Sequence, residues 1–261
     1  MLKQKKNIPP KKRTKKDISE KPIEDNSSMV RITSGIGNLD KLIEGGIEKN
    51  STNLLVGGSG SGKSIFGMQF LVEGLEKGEK CLYVTFEEKK GKFFRHMKRF
   101  GWDLETYEKK GLFTFLEYTP VKVKTMLEEG GGTVESIIRK QKTSRMVIDS
   151  ITSFALLFDK ELAKREAALG LFNLIEKWEV TSILTLEGKP LTSTELNSRT
   201  LEFESDSIIS LYFLRHKHLR KRFIEVLKMR GTNHSKEIYR FIIGNKGVTV
   251  ANKPTENPLN K

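Results

Sequence analysis

Apolar residues along the chain fall into two kinds of pattern, and their alternation predicts the order of strands and helices. Short, nearly continuous apolar runs predict strands over residues 52–56, 81–86, 112–117, 145–148 and 181–186. Longer stretches with apolar residues at helical spacing predict helices over residues 63–77, 91–100, 132–142 and 161–178. Strands that alternate with helices in this way are typical of a parallel sheet built from βαβ units.

The pattern changes after residue 206, where the helical spacing is lost. Apolar runs separated by short polar turns then predict three strands, over residues 207–214, 222–228 and 237–243. Strands joined by short turns pair in antiparallel fashion. We therefore expect an α/β fold with a mostly parallel sheet, flanking helices and antiparallel C-terminal strands.

Composition divides the chain into one folded domain and two tails. The 261 residues are enough for one large core, and we predict a single domain over residues 29–250. Residues 1–28 contain three prolines and few large apolar residues, which predicts a disordered basic tail. Residues 251–261 are predicted to be a flexible C-terminus.

Signals for membrane insertion and secretion are missing from the sequence. No apolar run approaches the ~20 residues of a membrane span, and no apolar segment follows the N-terminal lysines. The single cysteine, Cys81, excludes an intramolecular disulfide and fits a reducing compartment. Because Cys81 opens an apolar run, we expect a buried, unreactive thiol. These features predict a cytoplasmic protein with no membrane partner.

Residues 57–64 match the phosphate-binding pattern G-x-x-x-x-G-K-[ST] at every required position. Glycines allow consecutive backbone N–H groups to point at a phosphate, and the helix that follows favours an anion at its N-terminus. Lys63 is expected to reach the β- and γ-phosphates, and the Ser64 hydroxyl to bind Mg²⁺. We predict that the chain binds ATP and Mg²⁺. The predicted phosphate-binding residues are Gly57, Gly58, Ser59, Gly60, Ser61, Gly62, Lys63 and Ser64.

Two other predicted strands end in carboxylates, which ATP hydrolysis would require. Asp149 follows a buried-type apolar run, and we predict that it orients Mg²⁺ beside the loop. The alternative role for Asp149 is a helix N-cap or a turn residue. Glu87 and Glu88 follow the strand at 81–86, and one of them is predicted to polarise the attacking water. The alternative for this pair is a solvated helix start, since anions favour that end of a helix.

The net charge of +14 is concentrated in two segments. Residues 1–28 carry +5 and residues 215–240 carry +7, whereas residues 29–214 are neutral. Such patches usually meet phosphates or another polyanion. We predict a charged turn that binds single-stranded DNA or another polyanion, and the alternatives are a solvated turn or docking onto an acidic protein. The residues of this turn are Arg215, Lys217, Arg220, Lys221 and Arg222.

Residues 30–250 resemble a single domain of the KaiC-like group within the RecA superfamily of ATPases. The resemblance implies a RecA-like P-loop NTPase core that assembles into a ring, usually a hexamer, with ATP bound between neighbours. It also implies that Lys228 and Arg230 project into the adjacent subunit's site and contact the γ-phosphate. The residues alone leave open whether the arginine acts in cis or in trans. The resemblance is carried by residues 33–40, 44–47, 57–64, 84–88, 100–102, 147–150 and 228–232, with His234.

The resemblance is incomplete in two respects. The protein that names the group has two such domains in tandem, and this chain has one. That protein's second domain bears an adjacent Ser-Thr phosphorylation pair, but the surroundings of residues 192–194 match it too poorly to support autokinase activity. Our leading hypothesis is an ATPase acting on single-stranded DNA or on a protein. One alternative is a signalling or assembly module with slow ATP turnover. A second alternative is a metabolite kinase, which the segment 228–232 disfavours.

Overall fold

One large sheet runs through the middle of the fold, and helices cover both of its faces. In this computed structural model the described residues are 29–119, 129–155, 160–188 and 204–255 without 217, together with the single positions 122, 125 and 158. The predicted tail at residues 1–28, the triplet at residues 192–194, Lys217 and residues 256–261 lie outside the described residues.

The strands of the described chain form two sheets. A small antiparallel pair consists of β1 (Arg31–Ile32) and β2 (Ile47–Glu48). The large sheet consists of β3 (Thr52–Gly57), β4 (Cys81–Thr85), β5 (Phe113–Glu117), β6 (Arg145–Asp149), β7 (Thr181–Glu187), β8 (Ser207–His216), β9 (Leu219–Met229), β10 (Tyr239–Gly244) and β11 (Gly247–Pro254). Its order is β11-β10-β9-β8-β3-β7-β6-β4-β5, parallel from β5 to β8 and antiparallel from β8 to β11. The predicted fold class is confirmed.

Helices connect the parallel strands and pack on the two faces of the large sheet. The helices of the described chain are α1 (Leu39–Leu42), α2 (Lys63–Glu76), α3 (Lys90–Lys98), α4 (Leu104–Lys109), α5 (Gly132–Gln141), α6 (Ile151–Ala155) and α7 (Glu161–Lys177). Adjacent residues of β3 point to opposite faces, as the pleat of a strand requires. Leu55 lies in the core beneath α2 and α3, and Leu54 lies in the core beneath α5 and α7.

Helix α2 begins at the phosphate loop and ends where the sequence predicts. Gly78 adopts the left-handed conformation with φ of 76°. The N–H of Glu79 donates to the carbonyl of Gly74 at 2.9 Å, and the N–H of Gly78 donates to the carbonyl of Leu75 at 3.1 Å. This pair of bonds is the Schellman motif, in which Gly78 ends α2 close to the predicted boundary at residue 77.

Strand β11 and helix α4 are elements that the sequence patterns do not predict. Strand β11 runs through Pro254, so the predicted domain boundary at residue 250 falls inside it. Its buried residues are few, because only Gly247, Val248 and Val250 face the interior. Helix α4 has six residues, too few to show helical periodicity.

The predicted charged turn is wrong for four of its five basic residues, because Arg215 belongs to β8 and Arg220, Lys221 and Arg222 belong to β9. Strand β8 continues to His216 and β9 begins at Leu219, with Arg215 paired directly across from Arg220. This part of the ribbon extends beyond the end of β3 and has exposed polar residues on both strands. Such residues give no alternation of apolar and polar positions, so the strand signal is absent from the sequence.

Candidate nucleotide site

The carboxyl ends of β3, β4, β6 and β7 meet at one edge of the sheet, and most of the predicted site residues meet there. They surround a cavity of about 380 Å³. Crevices at this edge are the usual ligand sites of open α/β sheets. The residues that line the cavity are Ser59, Gly60, Gly62, Lys63, Ser64, Ile65, Thr85, Glu87, Glu88, Asp149, Ser150, Glu187, Arg222 and Ile243.

The loop between β3 and α2 depends on glycine at specific positions. Gly62 has φ of 108°, which side chains rarely tolerate, and a Cβ there would lie 2.8 Å from Ile243 Cδ1. A Cβ at Gly57 would lie 2.6 Å from the carbonyl oxygen of Leu211 on β8. The close packing of the loop against β8 and β10 therefore excludes larger residues at both positions.

The Lys63 ammonium group contacts the carbonyls of its own loop. Its Nζ atom lies 2.7 Å from the carbonyl oxygen of Gly57 and 3.2 Å from that of Gly58. Burial lowers the pKa of Lys63, while the negative charges of Glu187, Asp149 and Glu87 act in the opposite direction. The cavity therefore holds a half-buried ammonium group close to three carboxylates, an arrangement suited to bind a phosphate together with a metal cation.

The carboxylate of Asp149 is held by a hydroxyl from each neighbouring strand. Tyr83 on β4 donates to Asp149 Oδ2 at 2.6 Å, and Thr185 on β7 donates to Oδ1. The position of Asp149 at the last residue of β6 agrees with the predicted strand-end carboxylate. The carboxylate belongs to a strand and caps no helix N–H among the described hydrogen bonds.

Glu87 and Glu88 follow β4 but have different surroundings. Both backbone N–H groups donate to Thr85 Oγ1, at 3.3 Å and 3.2 Å. The exposed Glu87 accepts hydrogen bonds from the hydroxyls of Ser150, at 3.4 Å, and Ser153. Glu88 is partly buried, and its Oε2 atom is inaccessible to solvent and has no hydrogen-bond partner among the described residues.

Two residues of the cavity wall are missed by the sequence patterns. Glu187 is the last residue of β7, so the reasoning that identifies Asp149 would also have found it. Arg222 of β9 donates from Nη2 to the carbonyl of Gly60 at 3.0 Å, and its guanidinium lies 4.3 Å from the ring centre of Phe213. Burial lowers the pKa of Arg222. Only the pairing of β8 with β9 brings this arginine to the loop, and no local motif signals that pairing.

A second cavity of about 580 Å³ adjoins the first and shares Ser64, Ile65, Glu88 and Ile243 with it. Its other walls come from α3, from the residues just after α3, and from the turn between β10 and β11. These additional lining residues are His96, Met97, Arg99, Phe100, Gly244 and Asn245. The second cavity therefore lies between the first cavity and α3.

Lys228 and Arg230 lie at the opposite edge of the sheet from the phosphate loop. Lys228 pairs with Ile208, which pairs with Leu54, and this places it about 10 Å down the sheet from the end of β3. Its Nζ atom donates to the carbonyl of Ser205 at 2.6 Å. Arg230 forms an ion pair with Asp206, with 3.2 Å between Nη1 and Oδ1. The structure therefore does not bring these two residues to the phosphate loop of their own chain.

A phosphate loop at the carboxyl edge of a mostly parallel sheet, with acidic strand ends beside it, defines a P-loop ATPase with a RecA-like core. A family model described as "ATPase: KaiC" matches residues 32–255. The chain belongs to the KaiC ATPase family, whose members are ATP-binding ATPases.

Individual relatives agree with the family. The chain is 31% identical over 228 residues to the circadian clock protein KaiC3 of Synechocystis sp., covering 84% of this chain and 45% of that protein. It is 34% identical over 233 residues to a UPF0273 protein of Pyrococcus furiosus, covering 84% of this chain and 93% of that protein. The chain thus spans about half the length of the curated KaiC relatives and nearly all of the UPF0273 relative.

A solved structure shows the same fold. The crystal structure of a KaiC-like protein from Pyrococcus horikoshii OT3 superposes with a TM-score of 0.77 at 36% identity, covering 86% of this chain and 100% of that chain.

No helix in the described part of the chain is both long and apolar enough to cross a membrane.

Proposed function

We propose that this chain hydrolyses ATP in the cavity at the carboxyl edge, and that each site is completed by Lys228 and Arg230 of a neighbouring copy in a ring. The observation that carries the proposal is the separation of two groups of residues. The loop and the carboxylates surround one cavity, whereas the two basic residues of the segment 228–232 lie at the other edge.

The donor set fits Mg²⁺ beside the phosphates. The Ser64 hydroxyl and the Asp149 carboxylate line the same cavity, and hard cations such as Mg²⁺ prefer oxygen ligands. The buried Oε2 atom of Glu88 is a further acceptor for a metal-bound water. When bound, Mg²⁺ neutralises negative charge on the transferred phosphoryl group.

Within the proposed site, Glu87 is the residue that orients and deprotonates the attacking water. Its carboxylate acts electrostatically on Lys63, the residue proposed to hold the β- and γ-phosphates. The hydroxyls of Ser150 and Ser153 fix one of its oxygens, so the second oxygen has a defined direction. Glu88 instead lines both cavities and has a buried, unpaired oxygen among the described residues, which favours a role in holding water around the cation.

The second cavity is the proposed place for the nucleoside part of ATP. It shares Ser64 and Ile65 with the first cavity and reaches α3, and we assign this space to the nucleoside. Phe100 supplies an apolar surface there, and Arg99 and His96 supply polar groups. This composition matches the general pattern of pockets that bind ligands with a planar base.

The basic hairpin formed by residues 215–222 is a candidate polyanion site, for which single-stranded DNA is the proposed ligand. Arg215, His218 and Arg220 are exposed near its tip, and Arg215 and Arg220 lie directly across from each other. Like charges in this position oppose strand pairing, and a bound polyanion would relieve that repulsion. A protein partner with slow ATP turnover is the alternative.

Glutamine substitutions test the proposed hydrolysis. The double variant Glu87→Gln with Glu88→Gln should bind ATP with near wild-type affinity, because the phosphate loop is unchanged. Its rate of phosphate release should fall by roughly 100-fold or more, the usual contribution of a general base. Fluorescent-nucleotide binding and phosphate release measure the two properties separately. Hydrolysis at the wild-type rate would contradict the assignment.

A further inference from the structure

The Tyr83 hydroxyl is buried and contacts Asp149, one of the residues proposed for the magnesium site. Tyr83 is 1% exposed, and its hydroxyl donates to Asp149 Oδ2 at 2.6 Å. A buried phenol is costly unless its hydroxyl is paired, so this hydrogen bond accounts for a tyrosine at this position.

Packing fixes the ring of Tyr83 and therefore the position of its hydroxyl. The ring centre lies 4.6 Å from that of Phe93, in a tilted arrangement. It lies 5.5 Å from that of Phe115, with only 4° between the ring planes. Since β4 and two aromatic neighbours hold the ring, the hydroxyl cannot turn away from Asp149 without disturbing the core.

The Tyr83 hydroxyl has one proton to donate, and it is directed at Asp149 Oδ2. The carboxylate is thereby held from the side of β4. Thr185 restrains the other carboxylate oxygen of Asp149 from the opposite side.

We propose that Tyr83 is a positioning residue that holds the Asp149 carboxylate in the orientation that Mg²⁺ requires. The inference rests on the proposed ATP site. Outer-shell groups that orient metal ligands commonly affect metal affinity by about 10- to 100-fold. Tyr83 touches neither ATP nor the reacting atoms, and it acts through Asp149.

The Tyr83→Phe variant tests the role, because it keeps the packed ring and removes only the hydroxyl. In this variant, the affinity of the protein–analogue complex for Mn²⁺ should fall roughly tenfold, where the analogue is a non-hydrolysable form of ATP. Electron paramagnetic resonance measures this affinity. The Mg²⁺ concentration for half-maximal phosphate release should rise by the same factor. Analogue binding without a divalent cation should stay unchanged. The matched control is Tyr107→Phe, which removes a hydroxyl outside the site and should leave both cation midpoints unchanged.

A double substitution separates positioning from general destabilisation. In an Asp149→Asn background, Tyr83→Phe should add no further loss of Mn²⁺ affinity, because the hydroxyl acts through that carboxylate. Unchanged cation midpoints in the single variant, or full additivity in the double variant, would overturn the role.

A measurement on the wild-type protein holds even if the Tyr83→Phe variant fails to fold. Mg²⁺ added to the analogue-bound form should perturb the ultraviolet absorption of a buried tyrosine, and a flat difference spectrum would overturn the role. Failure of the wild type to bind the ATP analogue at all would instead contradict the proposed function.

Discussion

The two ends of strand β9 lie at opposite edges of the sheet and have different surroundings. At its beginning, Arg222 contacts Gly60 of the phosphate loop in the same chain. At its end, Lys228 contacts Ser205, far from that loop. Six residues of extended strand separate Lys228 from Arg222 by about 20 Å. Basic residues that are close in sequence therefore lie at two distant places, one beside the phosphate loop of the same chain and one that we propose serves a neighbouring copy.

This difference also revises the meaning of the charge map. The +7 of residues 215–240 forms one patch along the sequence. In the structure, β9 divides it between the hairpin beside the phosphate loop and the opposite edge of the sheet. Basic residues only a few positions apart in the sequence can therefore lie far apart in space when they belong to one extended strand.

The largest effect is expected from the phosphate-loop end. Lys63→Ala removes the one lysine of the loop, and we expect ATP affinity to fall by roughly 100-fold, as for the loss of strong hydrogen bonds to a charged group. Isothermal titration with ATP measures this change. Lys77→Ala is the matched control, since Lys77 lies just past the other end of α2 and pairs there with Glu73 and Thr33. Equal ATP affinity in the two variants would contradict the assignment of Lys63 to phosphate binding.

A smaller effect is expected from the hairpin tip. Arg220→Glu with Lys221→Glu should weaken binding of labelled single-stranded DNA and reduce the slope of log K against log salt by roughly 0.7 for each lost phosphate contact. Lys109→Glu with Lys110→Glu makes the same charge change at the end of α4 and serves as the control. If both double variants behave alike, the hairpin is not a DNA site.

Much of this architecture could be predicted from the sequence, because its signals are local. The phosphate loop, the strand before it and the end of α2 at Gly78 depend on neighbouring residues alone. Asp149 could also be predicted, because a buried parallel strand that ends in an acid delivers the carboxylate to the edge where the loop lies. The partners of Asp149 could not be predicted, since Tyr83 and Thr185 reach it only through the pairing of β6 with β4 and with β7.

The positions that depend on strand register could not be predicted from local patterns. The charge pattern places Arg222 in a turn, and the extension of β8 and β9 brings it to Gly60 instead. The position of Lys228 and Arg230 relative to the loop likewise follows from the antiparallel direction of β9. Local patterns predict elements, whereas the distance between two elements depends on the whole sheet.

The central claim is that each ATP site combines the phosphate loop of one copy with Arg230 of another. The measurement that tests it mixes Lys63→Ala with Arg230→Ala, each inactive alone, and follows phosphate release with co-assembly verified by mass. Equal mixing should restore about one quarter of the wild-type rate, because random assembly gives that share of interfaces an intact loop and an intact arginine. The double variant Lys63→Ala with Arg230→Ala, mixed with Arg230→Ala, should restore none. A mixture of co-assembled single variants that stays inactive would contradict the shared site.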